Sequence, residues 1–150
     1  MTLHQSIHQD ANLAGLLTIR PLTIDDLAQA RTLHAEAFRF SARTVFPDAD
    51  FAAALLQITT PEYTDHLATL ALYGGFMDDS LVATAGWTPL RDHDGTSENA
   101  AAEIAAVAVA PIFTDAGLGR RMVAEVEAQA GAAGNRRFQV RATPHAVPFF

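Results

Sequence analysis

The spacing of hydrophobic positions changes repeatedly along the chain, and each change of period marks an element. Residues 1–14 show no recurring period and are rich in His and Gln, which predicts a loose tail ahead of a single domain over residues 15–150. The run "GLLTIRPL" from Gly15 reads as a first strand. Thr23 is then placed to cap a helix, Asp25 and Asp26 complement its positive end, and Leu27, Ala30, Leu33 and Ala37 recur at helical spacing as its buried stripe. A second helical pattern, "DADFAAALLQI", starts near Asp48. The run "ITTPEYTDHLATL" up to Tyr73 fits helix or strand equally well.

From Leu72 the period shortens. "LYGGFM", the turn residues "DDS" and "LVATAGWTP" predict an antiparallel hairpin, and "RDHDGTSEN" reads as a polar loop. "AAEIAAVAVA" is a strand rich in small and β-branched residues that Pro111 ends, because proline has no N–H to give the ladder. Leu118, Met122, Val126 and Ala130 then repeat every four residues, which predicts a helix over about Gly117 to Ala133, with Gly134 as its stop. "RRFQVRAT" is the last strand, and "PHAVPFF" begins a further element. The order implies an α/β chain with a mixed sheet and helices on its faces. Glu103 to Thr143 forms its βαβ crossover, locally parallel and right-handed.

Composition narrows the classes. A length of 150 residues, 49% of them hydrophobic and nine of them Phe, suits one globular domain that needs no staple. The absence of Cys excludes disulfides, thiolate metal sites and a Cys nucleophile, and fits a reducing compartment. The opening residues lack a basic segment followed by an apolar run, and no stretch is long enough to span a bilayer, so the expectation is a cytoplasmic protein with no membrane partner. A net charge of −7 disfavours nucleic acid, whose affinity comes from cationic contacts, and suits a small cationic partner. His4 and His8 have no third ligand in view, so no metal is expected.

The chemistry concentrates in "EIAAVAVAPIFTDAGLGRRMV", where a strand breaks, crosses a loop and enters a helix. The first turn of a helix leaves four N–H groups without partners and carries a partial positive charge. Gly117 and Gly119 allow a bulky anion to approach that backbone, and a phosphate or pyrophosphate is the natural guest. Asp115 opposes an anion, whereas Arg120 and Arg121 partly offset it. An ordinary tight turn explains two glycines as well. The loop is neither a P-loop nor a full dinucleotide fingerprint, since Met122 stands where a third Gly belongs.

With "VAP" at Val109 to Pro111 followed by "TDAGLG" at Thr114 to Gly119, this segment resembles the GCN5-related N-acetyltransferase (GNAT) family. The likeness extends over "TIRPLTIDDLAQARTLHAEAF" and "ATPHAVPFF", hence most of the chain from about Leu17. It implies the acyl-CoA N-acyltransferase fold, without the family's last two strands, and acetyl-CoA as co-substrate. By resemblance, the loop of Asp115, Ala116, Gly117, Leu118, Gly119 and Arg120 binds the pyrophosphate. The strand at Val107, Ala108 and Val109 offers its backbone to the pantetheine arm, with the Val107 amide as donor to the thioester oxygen. Thr114 replaces the family's Gln or Arg. Phe150 stands where the family places a Tyr that reprotonates the leaving thiolate.

Transfer to a primary amine needs a base, because an ammonium is no nucleophile. Glu103 is the candidate: it lies on the strand leading to the cofactor loop and, by resemblance, matches a position where several family members keep a catalytic Glu. A Glu paired on a strand face is the competing reading. Tyr73 and Trp87 fit core packing better than a catalytic role, and His145 is a weaker candidate acid. Without Cys, direct attack in a ternary complex is expected. The alternatives are a catalytically silent acyl-CoA-binding module and, if the glycines form only a turn, an unrelated nucleotide-binding regulator. The acceptor is a small-molecule or peptide amine that composition tilts toward polyamines, aminoglycosides or amino acids, and exposed strand edges would favour a homodimer.

Overall fold

The computed structural model describes residues 13–42, 47–90 and 100–141. Strand β1 (Thr18–Pro21) leads through a short 3-10 turn (Ile24–Asp26) into α1 (Leu27–Ala42), followed by α2 (Asp48–Ile58) and α3 (Pro61–Ala68). Strands β2 (Ala71–Met77), β3 (Ser80–Leu90) and β4 (Ala101–Val109) precede α4 (Leu118–Ala132) and β5 (Arg137–Val140). The polar loop at 91–99 and the C-terminal run with His145 and Phe150 lie outside the described residues, as do His4 and His8. Leu13 and Ala14, at the end of the expected tail, are half-buried against the core.

The five strands form one sheet in the order β1-β2-β3-β4-β5. The first three pairings are antiparallel and β4–β5 is parallel, so the sheet is mixed, as the element order implies. The β2–β3 hairpin turns at Asp78 and Asp79, with Asp78 at φ 52, a left-handed conformation that Asp tolerates better than most residues.

Two apolar layers sandwich the sheet. On one side Leu118, Met122 and Val126 of α4 pack with Leu17, Ala83, Ala85 and Ile104. On the other, Leu27, Ala30 and Leu33 of α1 pack with Leu67 of α3 and with Leu72, Phe76 and Leu81. Met122 and Val126 are fully buried, and burial of such a side chain contributes about 1.5–3 kcal/mol. Successive glycines in β2 let both layers approach: a Cβ on Gly74 would meet Leu22 and Leu81 at 2.5 and 2.7 Å, and one on Gly75 would meet Leu17 and Met122 at 2.9 Å. Gly74 therefore faces the α1 layer and Gly75 the α4 layer.

Three local expectations are refined. Thr23 is the N-cap as expected, but through a capping box with Asp26: its carbonyl accepts from the Asp26 N–H at 2.9 Å, its N–H and hydroxyl donate to the Asp26 carboxylate at 2.8 and 3.1 Å, and that carboxylate also pairs with Arg20 at 3.0 Å. Those bonds hold the Asp26 carboxyl well below the usual carboxylate range, the Arg20 bond first. Ala37 is half-buried rather than buried, because it lines an open cleft, whereas Ala42 farther along the same helix is fully buried. The ambiguous run is helix α3, whose N–H at Tyr63 donates to the Thr60 hydroxyl and whose first residue is Pro61, preset for a helix start.

Candidate active site

Strands β4 and β5 run together only over Ala101–Ile104 and Arg137–Val140, and the Arg141 N–H to the Ile104 carbonyl, 2.9 Å, is the last bond between them. Beyond Ile104, β4 continues to Val109 beside β3 alone among the described residues. One edge of its backbone therefore opens into a cleft. The mouth of α4 opens into the same cleft. Its first intrahelical bond runs from the Arg121 N–H to the Gly117 carbonyl, 3.1 Å, which leaves the N–H groups of Leu118, Gly119 and Arg120 without intrahelical acceptors.

The loop that turns β4 into α4 is shaped by backbone geometry. Ala110 donates to the Val82 carbonyl at 2.8 Å, a 3-10 turn spans Pro111–Phe113, and the Thr114 hydroxyl donates back to the Pro111 carbonyl at 2.8 Å. Asp115 at φ 70 and Gly117 at φ 81 are both left-handed. A Cβ on Gly117 would have open space around it, so the glycine is there for its backbone conformation rather than for crowding.

The cleft has a volume of about 800 Å³. The α1–α2 side contributes Ala37, Phe38, Phe40, Ala54 and Ile58, an apolar wall, and Phe38 stacks on Phe51 at 5.3 Å. Asp115 is the acidic residue among the described lining residues, and Arg120 and Arg141 are the basic ones.

A buried polar chain crosses the core beside this cleft. The Thr84 hydroxyl donates to the Ala106 carbonyl at 2.7 Å, so its single proton is spent there and the His34 Nε2 at 2.7 Å must be the donor to it. The neutral imidazole then carries no proton on Nδ1, which accepts from the Tyr63 hydroxyl at 2.6 Å. Burial pushes the His34 pKa down to about 4 and the Tyr63 pKa up to about 12, both favouring these neutral forms. Ala106 itself sits at φ 58, in a bulge where the β3–β4 register slips between Thr84 and Gly86.

Of the residues expected from sequence, Val107, Ala108, Val109, Asp115, Gly117, Leu118, Gly119 and Arg120 all line the cleft, as does Thr114. Ala116 is buried in the α4 core layer instead. Glu103 is not part of the lining: it sits on the last paired rungs of β4 with Oε1 3.0 Å from Nε of Arg141, which does line it. Tyr73 and Trp87 pack half-buried against the α4 core layer. Sequence reading missed His34, Tyr63 and Thr84. His34 carried a signal, since it continues the α1 stripe at i+4 from Ala30 and i+7 from Leu27, a polar ring on an apolar face.

Comparisons place this geometry among known folds. The family model described as the acetyltransferase (GNAT) family matches residues 27–150. Among solved structures, the PaiA N-acetyltransferase from Thermoplasma acidophilum in complex with coenzyme A is 15% identical, with a TM-score of 0.71 over 89% of this chain and 84% of that one. A GCN5-related N-acetyltransferase from Ralstonia eutropha JMP134 is 20% identical, with a TM-score of 0.67 over 89% and 88%. An aminoglycoside acetyltransferase, meta-AAC0020, from an uncultured soil metagenomic sample in complex with sisomicin is 18% identical, with a TM-score of 0.62 over 90% and 85%. At these identities the likeness is one of fold. No curated protein matches the chain.

Proposed function

The chain belongs to the acetyltransferase (GNAT) family, and from that premise we propose that it transfers an acetyl group from acetyl-CoA to a primary amine by direct attack in a ternary complex. The observation that carries this reading is the single cleft shared by the free β4 edge and the mouth of α4. An extended amide-bearing arm can lie along Val107–Val109 as a strand would, and the pyrophosphate attached to it reaches the N–H groups of Leu118, Gly119 and Arg120. Backbone amides supply the positive end, and Arg120, which also lines the cleft, adds a cation beside them.

In the reaction the neutral amine nitrogen attacks the thioester carbonyl carbon. A C–N bond forms, the C–S bond breaks, and the thiolate leaves with the electron pair. The Val107 N–H stabilises the charge that develops on the carbonyl oxygen. Glu103 accepts the amine's proton through water. It lies one ion pair away from the cleft, and its partner Arg141 is exposed enough that the pair costs little to open. The apolar wall of Ala37, Phe38, Phe40, Ala54 and Ile58 favours an acceptor with a hydrophobic body over a polycation, despite the acidic balance of the chain.

The engagement of Glu103 by Arg141, outside the cleft lining, favours a second reading: an acyl-CoA-binding module without turnover. Both predict a saturable rise in melting temperature with acetyl-CoA. They part on release of free thiol across a panel of amines. Turnover with hydrophobic amines supports the transferase, a thermal shift without turnover supports the silent module, and no shift removes both.

A further inference from the structure

The left-handed Ala106 is an alanine in a conformation that L side chains rarely adopt, and such residues persist only when their surroundings hold them. The surroundings here are explicit. Thr84, fully buried on β3, grips the Ala106 carbonyl, and behind it stand His34 of α1 and Tyr63 of α3, each in hydrogen-bond contact with the next. Four elements meet in one line of bonds.

We propose that Thr84, His34 and Tyr63 are positioning residues that hold the β4 bulge at Ala106 and thereby aim the Val107 N–H into the cleft. The argument is one of peptide geometry. Across the planar trans peptide between Ala106 and Val107, the carbonyl and the N–H point in opposite directions. A carbonyl tied to Thr84 turns the N–H away from Thr84, and Val107 lines the cleft. The direction of every proton in the line is fixed, because the carbonyl can only accept. The bulge is thus held by a chain that ends at Tyr63, itself part of the cleft lining. Acceptor contacts at Tyr63 would be felt at the group that meets the acetyl oxygen.

This inference rests on the acetyl-transfer reading of the cleft, and its test separates the two. Thr84→Val keeps the shape and removes the hydroxyl, Thr84→Ser restores it, and Tyr63→Phe removes only the far end. For Thr84→Val we expect kcat to fall about tenfold to hundredfold while KM for acetyl-CoA stays within about threefold, because the bulge loses its aim and the helix mouth does not. Thr84→Ser should recover most of the loss, and Tyr63→Phe should give a smaller fall of the same kind. Parental kcat in a folded Thr84→Val protein overturns the proposal, as does an equal loss of acetyl-CoA binding and kcat, which would mean a purely structural role. Should Thr84→Val fail to fold, Tyr63→Phe carries the same comparison. Without turnover in the parent chain, the acetyl-transfer reading fails on its own, and the tether is judged by NMR. The ¹⁵N shifts of His34 should report a proton on Nε2, and the Cα and Cβ shifts of Ala106 a left-handed backbone that relaxes in Thr84→Val; unchanged Ala106 shifts in that variant overturn it.

Discussion

Glu103 and His34 show what a single residue's setting does to its reading. Glu103 was legible as a carboxylate on the right strand, but its pairing with Arg141 was not, because Arg141 reaches it only after the chain has crossed α4 and returned as β5. If Glu103 is the base, Glu103→Gln lowers kcat by about 10²-fold and leaves the acetyl-CoA-induced thermal shift intact. Unchanged turnover would remove it from the mechanism. His34 gives a pH signature. The unfolded chain takes up a proton at His34 near its ordinary value of 6.5, whereas the folded protein keeps the ring neutral down to about 4. Stability is therefore at its full value above about pH 6.5 and declines as pH falls toward 4, by on the order of 3 kcal/mol from this group. Denaturant melts of the parent and of His34→Gln across that range should diverge in slope, the variant being the flatter.

At the scale of elements, periodicity was plainest where a face is buried. The four-residue repeat of α4 is buried as read, at Leu118, Met122, Val126 and Ala130. The run before Tyr73 resisted assignment because α3 buries only Leu67, too little to impose a period; its helix signal was the Thr60-Pro61 start. The entry to α4 depends on Gly117, whose left-handed φ an alanine adopts only at a cost of about 1–2 kcal/mol. Gly117→Ala should lower the melting temperature and weaken acetyl-CoA binding together, measured by thermal shift and titration. A variant that loses stability but binds as the parent does would separate the turn from the anion cradle.

For the whole molecule, the sheet was readable because its strand order is the chain order, so each predicted neighbour is a real one. The character of the cleft was not. Its wall is assembled from α1, α2 and the loop before α4, residues from 34 to 141 that no local window brings together. The charge of the chain pointed to a cationic acceptor, while the α1–α2 wall of the cleft is mostly apolar. Net charge describes the field around a protein and carries little about one concave patch of it. Among the described residues no helix is long and apolar enough to cross a membrane, and no group of three His, Asp or Glu side chains is arranged for a metal.

The parting of β4 from β5 after Ile104 has a consequence for how the molecule breathes. Strands β2 and β3 share seven rungs closed by a two-residue turn, whereas β5 is held by four rungs and reaches them across a whole helix. Opening free energies follow such differences, so β5 should detach in excursions that leave the hairpin intact. Amide hydrogen exchange would then be faster at Phe138 to Val140 than at Val82 to Ala85. A ligand lying in the gap would act as a splint across the fork, and exchange in β5 should slow when acetyl-CoA is added. The fork proposed to admit acetyl-CoA is, on this account, also the seam along which the empty protein first comes apart.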